Sequence, residues 1–159
     1  MAAARQGSPW AFGSLYRQFQ PGLLRLLVMI APHQAEDLAS DVWLEVAGGL
    51  RRFSGDERAF RGWLAGTARH LVIDASRRSG RRTGPPDAHT GDELASFAAR
   101  VVAVLPQDQA DVVLMRVVGG LDVDEVARAL HRQPETVRFL QQRALRRLAR
   151  QHDPEQRTA

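Results

Sequence analysis

The helical pattern of the chain gives way between residues 83 and 93 to the segment TGPPDAHTGDE, which carries paired prolines, two glycines and no large apolar residue. This composition is typical of a linker. On both sides of the break, apolar residues recur at the spacing of amphipathic helices, and strand patterns are nearly absent. The sequence therefore predicts an all-α fold of two small helical domains joined by a flexible linker. We place the domains at residues 8–83 and 93–152 and the linker at 84–92.

The first domain begins with a polar segment and a long helix. Residues 1–10 show no regular pattern, and we expect them to be disordered, with a helix entry near Pro9. Apolar residues keep helical spacing from residue 12 to residue 30. Pro21 and Gly22 fall in the middle of this stretch and predict a kink or a break, because proline cannot donate the helical backbone hydrogen bond.

A second helix, at about residues 35–50, combines an apolar stripe with an acidic outer face. The stripe of Leu38, Val42 and Val46 has the spacing of buried helix positions. Its outer face is unusual in a chain with a formal charge of +4. Such a face is either simply solvated or a surface for a basic partner. The face consists of Glu36, Asp37, Ser40, Asp41 and Glu45.

The third helix lies between Phe53 and Arg82 and has two distinct stripes. Ser54 and Glu57, three residues apart, predict a capping box at its start. A mixture of aromatic, hydrogen-bonding and cationic groups on its second stripe suits nucleic acid, although a solvated Arg-rich helix end explains it equally well. The core stripe consists of Phe60, Leu64, Ala68, Leu71 and Ala75, and the second stripe of Trp63, Thr67, His70, Asp74, Arg77 and Arg81.

The second domain is predicted to hold four helices, beginning near residues 92, 106, 122 and 134. The last two have the proportions of a helix-turn-helix, with a short helix, a turn of about three residues and a longer helix. The second helix of that motif enters the major groove of DNA. A helical hairpin with a solvated basic face is the alternative. The outer positions of the last helix are Glu135, Thr136, Arg138, Phe139, Gln142, Arg143, Arg146 and Arg147.

Composition and motifs argue against catalysis and against a cofactor. The chain has no Cys, so it has no disulfides or thiolate metal sites, and its five His residues show no metal-ligand spacing. A Gly-rich phosphate loop is also missing. No apolar run approaches the roughly eighteen residues of a membrane span. We therefore expect a cytoplasmic protein without membrane insertion, metal, cofactor or enzymatic activity.

Three segments carry a family resemblance: AEDLASDVWLEV, FRGWLAGTARHLVIDASRR and LPQDQADVVLMRVVGGLDVDEVARALHRQPETVRFLQQRALRRL. In order and spacing they resemble the diagnostic segments of bacterial RNA polymerase sigma factors of the extracytoplasmic-function group (group IV of the sigma-70 family). The resemblance covers about residues 12–150. It implies sigma domain 2 at 8–83, sigma domain 4 at 93–152, and a function in promoter-specific transcription initiation. The implied partners are promoter DNA, the beta-prime coiled coil and beta flap of core RNA polymerase, and as a further candidate an anti-sigma factor.

The resemblance also implies three binding surfaces. The polymerase surface consists of Glu36, Asp37, Ser40 and Asp41. The minus-ten surface, which opens the promoter and holds a flipped base in this family, consists of Phe53, Ser54, Asp56, Arg58, Trp63, His70, Arg77, Arg78 and Arg81. The minus-thirty-five surface consists of the eight outer positions of the last helix given above.

Some residues depart from the family pattern. His70 stands where the family often has Asn, and both side chains can hydrogen-bond a base edge. Phe139, Leu140 and Gln141 replace the usual residues of the recognition helix, which leaves the promoter sequence undetermined; Leu140 is nevertheless spaced to face inward. His131 replaces the usual turn Gly, and a left-handed backbone there would cost some stability.

Two other functions remain open at the level of sequence. One is an autonomous helix-turn-helix regulator that binds an operator without polymerase, with the first domain used for dimerisation or effector sensing. The other is an adaptor that binds polymerase without reading DNA. Dependence on core polymerase separates them, because a sigma factor directs initiation only together with the core enzyme.

Overall fold

The computed structural model describes residues 1–79 and 93–152, which form eight α-helices and one 3₁₀ turn and contain no β-strand. The prediction of an all-α fold is confirmed. Residues 80–92, with Arg81, Arg82 and the predicted linker, lie outside the described residues. The helices are α1 (Ala2–Arg5), α2 (Pro9–Ile30), α3 (Ala35–Gly49), α4 (Glu57–Ser79), α5 (Glu93–Val104), α6 (Gln107–Val117), α7 (Val123–Leu130) and α8 (Pro134–His152), and the 3₁₀ turn is Pro32–Gln34.

The N-terminal half packs α2, α3 and α4 around one apolar core. Leu27, Val42 and Phe60 are fully buried there, one from each helix. The stripes predicted for α3 and α4 are buried as expected, with one exception. Leu71 is only half-buried, and Val72 beside it faces the core.

The prediction of a disordered N-terminus is wrong, and of the kink or break predicted at Pro21 and Gly22 the structure excludes the break. Residues 1–10 are ordered, because α1 buries Ala4 against the core and Ser8 caps α2 by accepting the Ala11 N–H at 3.3 Å. α2 also continues through Pro21 without a break. Proline inside a helix costs about 3 kcal/mol or more, and the apolar face that α2 buries on both sides of Pro21 offsets this cost. That face includes Leu15, Phe19, Leu23 and Leu27.

The predicted capping box at the start of α4 is wrong. Asp56, not Ser54, caps the helix, since its carboxylate accepts the Ala59 N–H at 2.8 Å. The Glu57 carboxylate does not accept the backbone N–H of Ser54, as a capping box would require, but a hydrogen bond from the Gln18 side-chain amide at 2.5 Å. The helix therefore begins two residues later than the box requires, with a carboxylate in place of a hydroxyl at its cap.

The helix-turn-helix of the C-terminal half follows the prediction closely. Asp122 accepts the Glu125 N–H at 2.8 Å and the Glu125 carboxylate accepts the Asp122 N–H at 2.6 Å, which completes the expected capping box of α7. α7 ends at His131, whose φ of 51° is left-handed. Pro134 then begins α8.

The two halves share their apolar cores. Leu26 and Ala65 of the N-terminal half pack in one cluster with residues of α6, α7 and α8, including Val126 and Val137. Met29 likewise packs in a cluster with α5 and α6. The C-terminal half therefore lies against α2 and α4.

Candidate nucleic-acid and protein interfaces

The acidic face of α3 is presented on a rigid helix. Leu38, Val42 and Val46 anchor the opposite side in the core, so the outer residues are held in a fixed spacing. Within residues 1–79 and 93–152, none of the acidic residues here takes part in an ion pair. Ser40 donates its hydroxyl to the Glu36 carbonyl at 3.1 Å. All five members of the face are exposed: Glu36, Asp37, Ser40, Asp41 and Glu45.

Leu44 belongs to this face and was missed by the sequence analysis. Its side chain is 71% exposed, and it lies three residues after Asp41 and seven after Asp37, which places all three on one side of α3. The signal was present in the sequence as a large apolar residue at an outer helical position. The face therefore combines two carboxylates with an apolar centre.

The predicted minus-ten surface begins with two stacked aromatic rings. Phe53 and Trp63 stack with centroids 5.0 Å apart and an interplanar angle of 14°, and Phe60 meets both edge-on. Gly49 leaves room for the indole, because a Cβ there would lie 2.9 Å from the Trp63 ring. Trp63 is half-buried as a result, so it forms the wall of the surface.

The loop between α3 and α4 has a shape that depends on Gly55. Its φ of 144° is disfavoured for other residues, and a Cβ there would lie 2.5 Å from that of Ala59. Ser54 is exposed beside it. From the N-terminus, the Arg5 guanidinium donates to the Phe53 carbonyl at 3.4 Å, so the short helix α1 supports this loop.

Further along α4, polar side chains form a chain of contacts on the outer surface. The His70 imidazole lies 3.1 Å from one Asp74 oxygen, and the Arg77 guanidinium lies 3.9 Å from the other. Arg78 donates to the Asp74 backbone carbonyl at 3.3 Å. His70 and Arg77 remain well exposed, so they can reach a ligand in solution. Arg81, the last predicted member, lies outside the described residues.

Arg58, a predicted minus-ten residue, contacts the C-terminal half. Its guanidinium lies 3.4 Å from the Asp122 carboxylate and is 70% exposed. Neighbouring arginines of α4, which the sequence analysis did not single out, make similar contacts. Arg61 lies 3.3 Å from the Glu125 carboxylate, and Arg69 lies 2.6 Å from that of Asp111.

α8 presents the predicted minus-thirty-five residues on its outer side. Leu140 is buried, as predicted from its spacing. Gln141 accepts a hydrogen bond from Arg116 at 3.2 Å, which gives this departure from the family pattern a structural role. The Arg143 guanidinium lies 5.6 Å above the Phe139 ring, a cation–π contact, and Phe139 is 55% exposed. The residues on the outer side are Glu135, Arg138, Phe139, Gln142, Arg143, Arg146 and Arg147, with Thr136 half-exposed.

Two carboxyl groups of the C-terminal half have shifted pKa values. Burial raises the pKa of Asp111 above its usual value, although the Arg69 guanidinium and the Gln107 amide oppose the shift. The pKa of Asp122 is lowered, first by the hydrogen bond from the Glu125 N–H and then by the charge of Arg58. The cap of α7 is therefore ionised at neutral pH.

The part of the chain that the structure describes holds no group of three or more His, Asp or Glu residues placed to bind a metal ion. None of the helices in the described ranges has the length and apolar character needed to cross a membrane.

Comparison with known proteins identifies both halves. Residues 15–82 match the family model of sigma-70 region 2, and residues 98–148 match that of sigma-70 region 4. The chain is similar to the solved structure of CnrH in complex with the cytosolic domain of CnrY, with a TM-score of 0.72 and 20% identity over 96% of this chain and 94% of that one. It is also similar to the sigma factor RpoE from Bartonella quintana in complex with the anti-sigma factor NepR, with a TM-score of 0.70 and 18% identity over 87% of this chain and 94% of that one. These likenesses show the fold.

Curated relatives share more of the sequence. The extracytoplasmic-function (ECF) RNA polymerase sigma factor ShbA of Streptomyces griseus is 32% identical over 136 residues, 74% of this chain and 71% of the relative. ECF sigma factor SigX of Bacillus subtilis is 30% identical over 156 residues, which cover 85% of this chain and 80% of the relative. For SigD of Mycobacterium tuberculosis the identity is 33%, and the alignment spans only 61% of the relative's length. The chain belongs to the extracytoplasmic-function group of sigma-70 family RNA polymerase sigma factors.

Proposed function

We propose that the chain binds core RNA polymerase and directs promoter-specific initiation by recognising minus-ten and minus-thirty-five elements. One observation carries the proposal: a chain that matches sigma regions 2 and 4 presents an acidic helix face in one half and a basic recognition helix in the other. Such a protein contributes binding and positioning, with no catalysis of its own, and works in the cytoplasm, where the promoters are.

The acidic face of α3 is the proposed polymerase surface. A basic coiled coil, such as that of the beta-prime subunit, can meet Asp37 and Asp41 with charge-assisted hydrogen bonds. Leu44 lies next to these carboxylates and is 71% exposed. Burying it against the partner would stabilise the complex by about 1.5–3 kcal/mol through apolar transfer. Charge then orients the partner, while Leu44 contributes affinity.

The loop after α3 and the outer side of α4 form the proposed minus-ten surface. A base that leaves the duplex loses a few kcal/mol of stacking and pairing and needs compensating contacts. Trp63 offers an aromatic wall, and Ser54 and His70 offer exposed hydrogen-bonding groups. Arg77 and Arg78 extend the surface with positive charge for the phosphate backbone.

The outer side of α8 is the proposed minus-thirty-five surface. Its first turns carry the side chains that enter the major groove in a helix-turn-helix. Arg143 is suited to a guanine edge, because its guanidinium can donate two parallel hydrogen bonds. Arg146 and Arg147 lie further along the helix and suit the DNA backbone.

An anti-sigma factor is a proposed further partner. The similar structures of CnrH and of RpoE from Bartonella quintana hold the cytosolic domain of CnrY and the anti-sigma factor NepR, respectively. The shared fold supports a protein of this kind as a regulator of the chain. Co-purification from the native cell would identify it.

Transcription in vitro with core enzyme and a promoter library tests the proposed function. We expect promoter-specific initiation only when core enzyme and this chain are both present. The double variant Asp37→Arg/Asp41→Arg should lose core binding while keeping its fold. A matched control, Glu93→Arg/Asp108→Arg, makes the same change of charge at exposed positions of the C-terminal half. If the chain binds specific DNA sites without core enzyme and does not start transcription when core enzyme is added, the autonomous regulator is favoured.

A further inference from the structure

Phe139 places a large apolar ring among the charged side chains on the outer side of α8. The side chain is 55% exposed. Single exposed apolar residues are common on protein surfaces, so exposure alone assigns no role to the ring. Two further observations do assign one: the ring is held outward by the packing of α8, and it contacts the guanidinium group of Arg143.

The opposite side of α8 is anchored, so the Phe139 ring cannot turn into the core. The buried side chains on that side are Val137, Leu140 and Ala144. Arg116 adds a polar anchor, because it donates one hydrogen bond to the Gln141 side chain at 3.2 Å and another to the Leu121 carbonyl at 2.7 Å. A rotation of α8 that covered the ring would expose the buried side chains and break the hydrogen bond to Gln141.

Phe139 and Arg143 together form one composite group. They are four residues apart and therefore neighbours on one side of the helix. The guanidinium carbon lies 5.6 Å from the centre of the ring, within the roughly 6 Å of a cation–π contact. Among the residues that the structure describes, Arg143 takes part in no ion pair, whereas Arg138 is paired with Glu135 at 3.4 Å. The N–H groups of Arg143 therefore remain available to a ligand, with an apolar ring beside them.

The spacing of the two side chains matches nearby base pairs of DNA. Four residues advance a helix by about 6 Å, while base pairs in B-form DNA stack at about 3.4 Å. When Arg143 donates two hydrogen bonds to a guanine, the ring therefore meets the major-groove edge of a base pair one or two steps away. Thymine presents a methyl group on that edge, next to its hydrogen-bonding oxygen. A ring without donors or acceptors gains most from this methyl group.

Building on the proposed function, we propose that Phe139 is a specificity-determining residue, which together with Arg143 reads a thymine methyl group one or two base pairs from a guanine in the minus-thirty-five element. Arg143 recognises the guanine through two parallel hydrogen bonds. Phe139 contributes in two ways: its ring buries the methyl group, and its cation–π contact orients the guanidinium toward the guanine. Cytosine at the thymine position lacks the methyl group and places an amino group against the ring.

Replacing thymidine by deoxyuridine tests the methyl contact, because the exchange removes the methyl group and keeps every hydrogen-bonding group. The full chain with core enzyme first selects promoters from a library, and one strong promoter is then made with deoxyuridine in place of each minus-thirty-five thymidine in turn. We expect one position at which binding of the complex weakens about fourfold, the effect of losing one buried methyl group. Cytosine at that position should weaken binding at least as much, and 5-methylcytosine should recover part of the loss.

Variants of the chain separate the two contributions of Phe139. Phe139→Ser should remove the response to deoxyuridine and also lower discrimination at the guanine. Phe139→Leu keeps an apolar contact but has no ring, so it should retain most of the response to deoxyuridine while discrimination at the guanine falls about two- to fivefold, the worth of an exposed cation–π contact. Leu145→Ser is the matched control. Leu145 is 51% exposed on the same helix and lies about 160° around it from Arg143, so this variant should respond as the wild type does.

Equal binding of the wild-type complex to every deoxyuridine promoter would overturn the proposal. A deoxyuridine response that Phe139→Ser retains in full would overturn it too, because another side chain would then contact the methyl group. The same holds for selected promoters in which no thymine stands within two base pairs of a guanine. Failure of the proposed function gives a different result, since the chain with core enzyme would then select no promoter from the library.

Discussion

Arg143 and Arg147 of α8 differ in what surrounds their guanidinium groups. Arg143 lies over the Phe139 ring, 5.6 Å from its centre, and the ring restricts where the guanidinium can point. Arg147 is exposed one turn further along the helix. An oriented guanidinium suits a base edge, whereas a mobile one suits phosphate.

This difference predicts separable effects of mutation. Arg143→Ala should relax minus-thirty-five preference at one base pair, because a bidentate Arg–guanine contact is worth about 1–3 kcal/mol of discrimination. Arg147→Ala should weaken binding to all DNA sequences alike. It should also reduce the slope of log binding constant against log salt concentration by about one unit. Promoter-library selections with each variant measure both effects. The same change of sequence preference in the two variants would contradict the division.

Asp111 and Asp122 predict opposite responses of stability to pH. Burial raises the pKa of Asp111 above 3.8, so its favourable contribution to folding is present below that value and is lost as the pH rises through the folded-state pKa. The pKa of Asp122 is lowered, so its contribution is present above 3.8 and is lost as the pH falls through the folded-state pKa.

Substitution by Asn should remove each dependence separately. Relative to the wild type, Asp111→Asn should gain stability as the pH rises from about 3 towards 7, while Asp122→Asn should lose stability over the same range. The reason is that the substituted position titrates in the wild type and not in the variant. Denaturant unfolding at a series of pH values measures both differences. Parallel slopes for the two variants would show that one of the assigned environments is wrong.

At the level of single elements, two residues are candidates for the N-terminal cap of α4. The sequence pattern of Ser54 and Glu57 favours one helix start, and the hydrogen bond from the Ala59 N–H to Asp56 shows another. Both residues can cap a helix chemically. Periodicity could not decide between them, because the positive φ of Gly55, which glycine adopts freely, sets the path by which the chain enters the helix.

The observed cap predicts a difference between two alanine variants. Asp56→Ala should lower the free energy of unfolding by about 1 kcal/mol, the usual cost of losing a cap. Ser54→Ala should change it by less than about 0.5 kcal/mol, as expected for an exposed residue away from the packed core. Denaturant unfolding of both variants provides the comparison. A larger loss for Ser54→Ala would restore the capping box that the sequence suggested.

At the scale of the whole molecule, the sequence predicted what depends on local spacing. Helical periodicity identified the buried stripes of α3 and α4 and the inward-facing Leu140, and a capping box marked the start of α7. The order of α1 was missed, since its only buried side chain is the small residue Ala4. The contact of Gly62 and Gly66 in α4 with the backbone of α7 was missed as well. Gly62 and Gly66 carry no apolar signal, and their partners lie about sixty residues away, so no local pattern could show the contact.

The shared cores of the two halves lead to a last prediction, about cooperativity. Leu26 and Ala65 pack with Val126 and Val137 across the boundary between the two halves, so separating the halves exposes apolar surface that each half needs. The wild-type chain should therefore unfold in one transition. Gly62→Ala/Gly66→Ala should split it into two transitions or lower its slope with denaturant, because the slope follows the surface exposed in each cooperative step. Gly22→Ala should keep the single transition. Two transitions already present in the wild type would mean that the halves fold independently and that the contact between α4 and α7 contributes little to their stability.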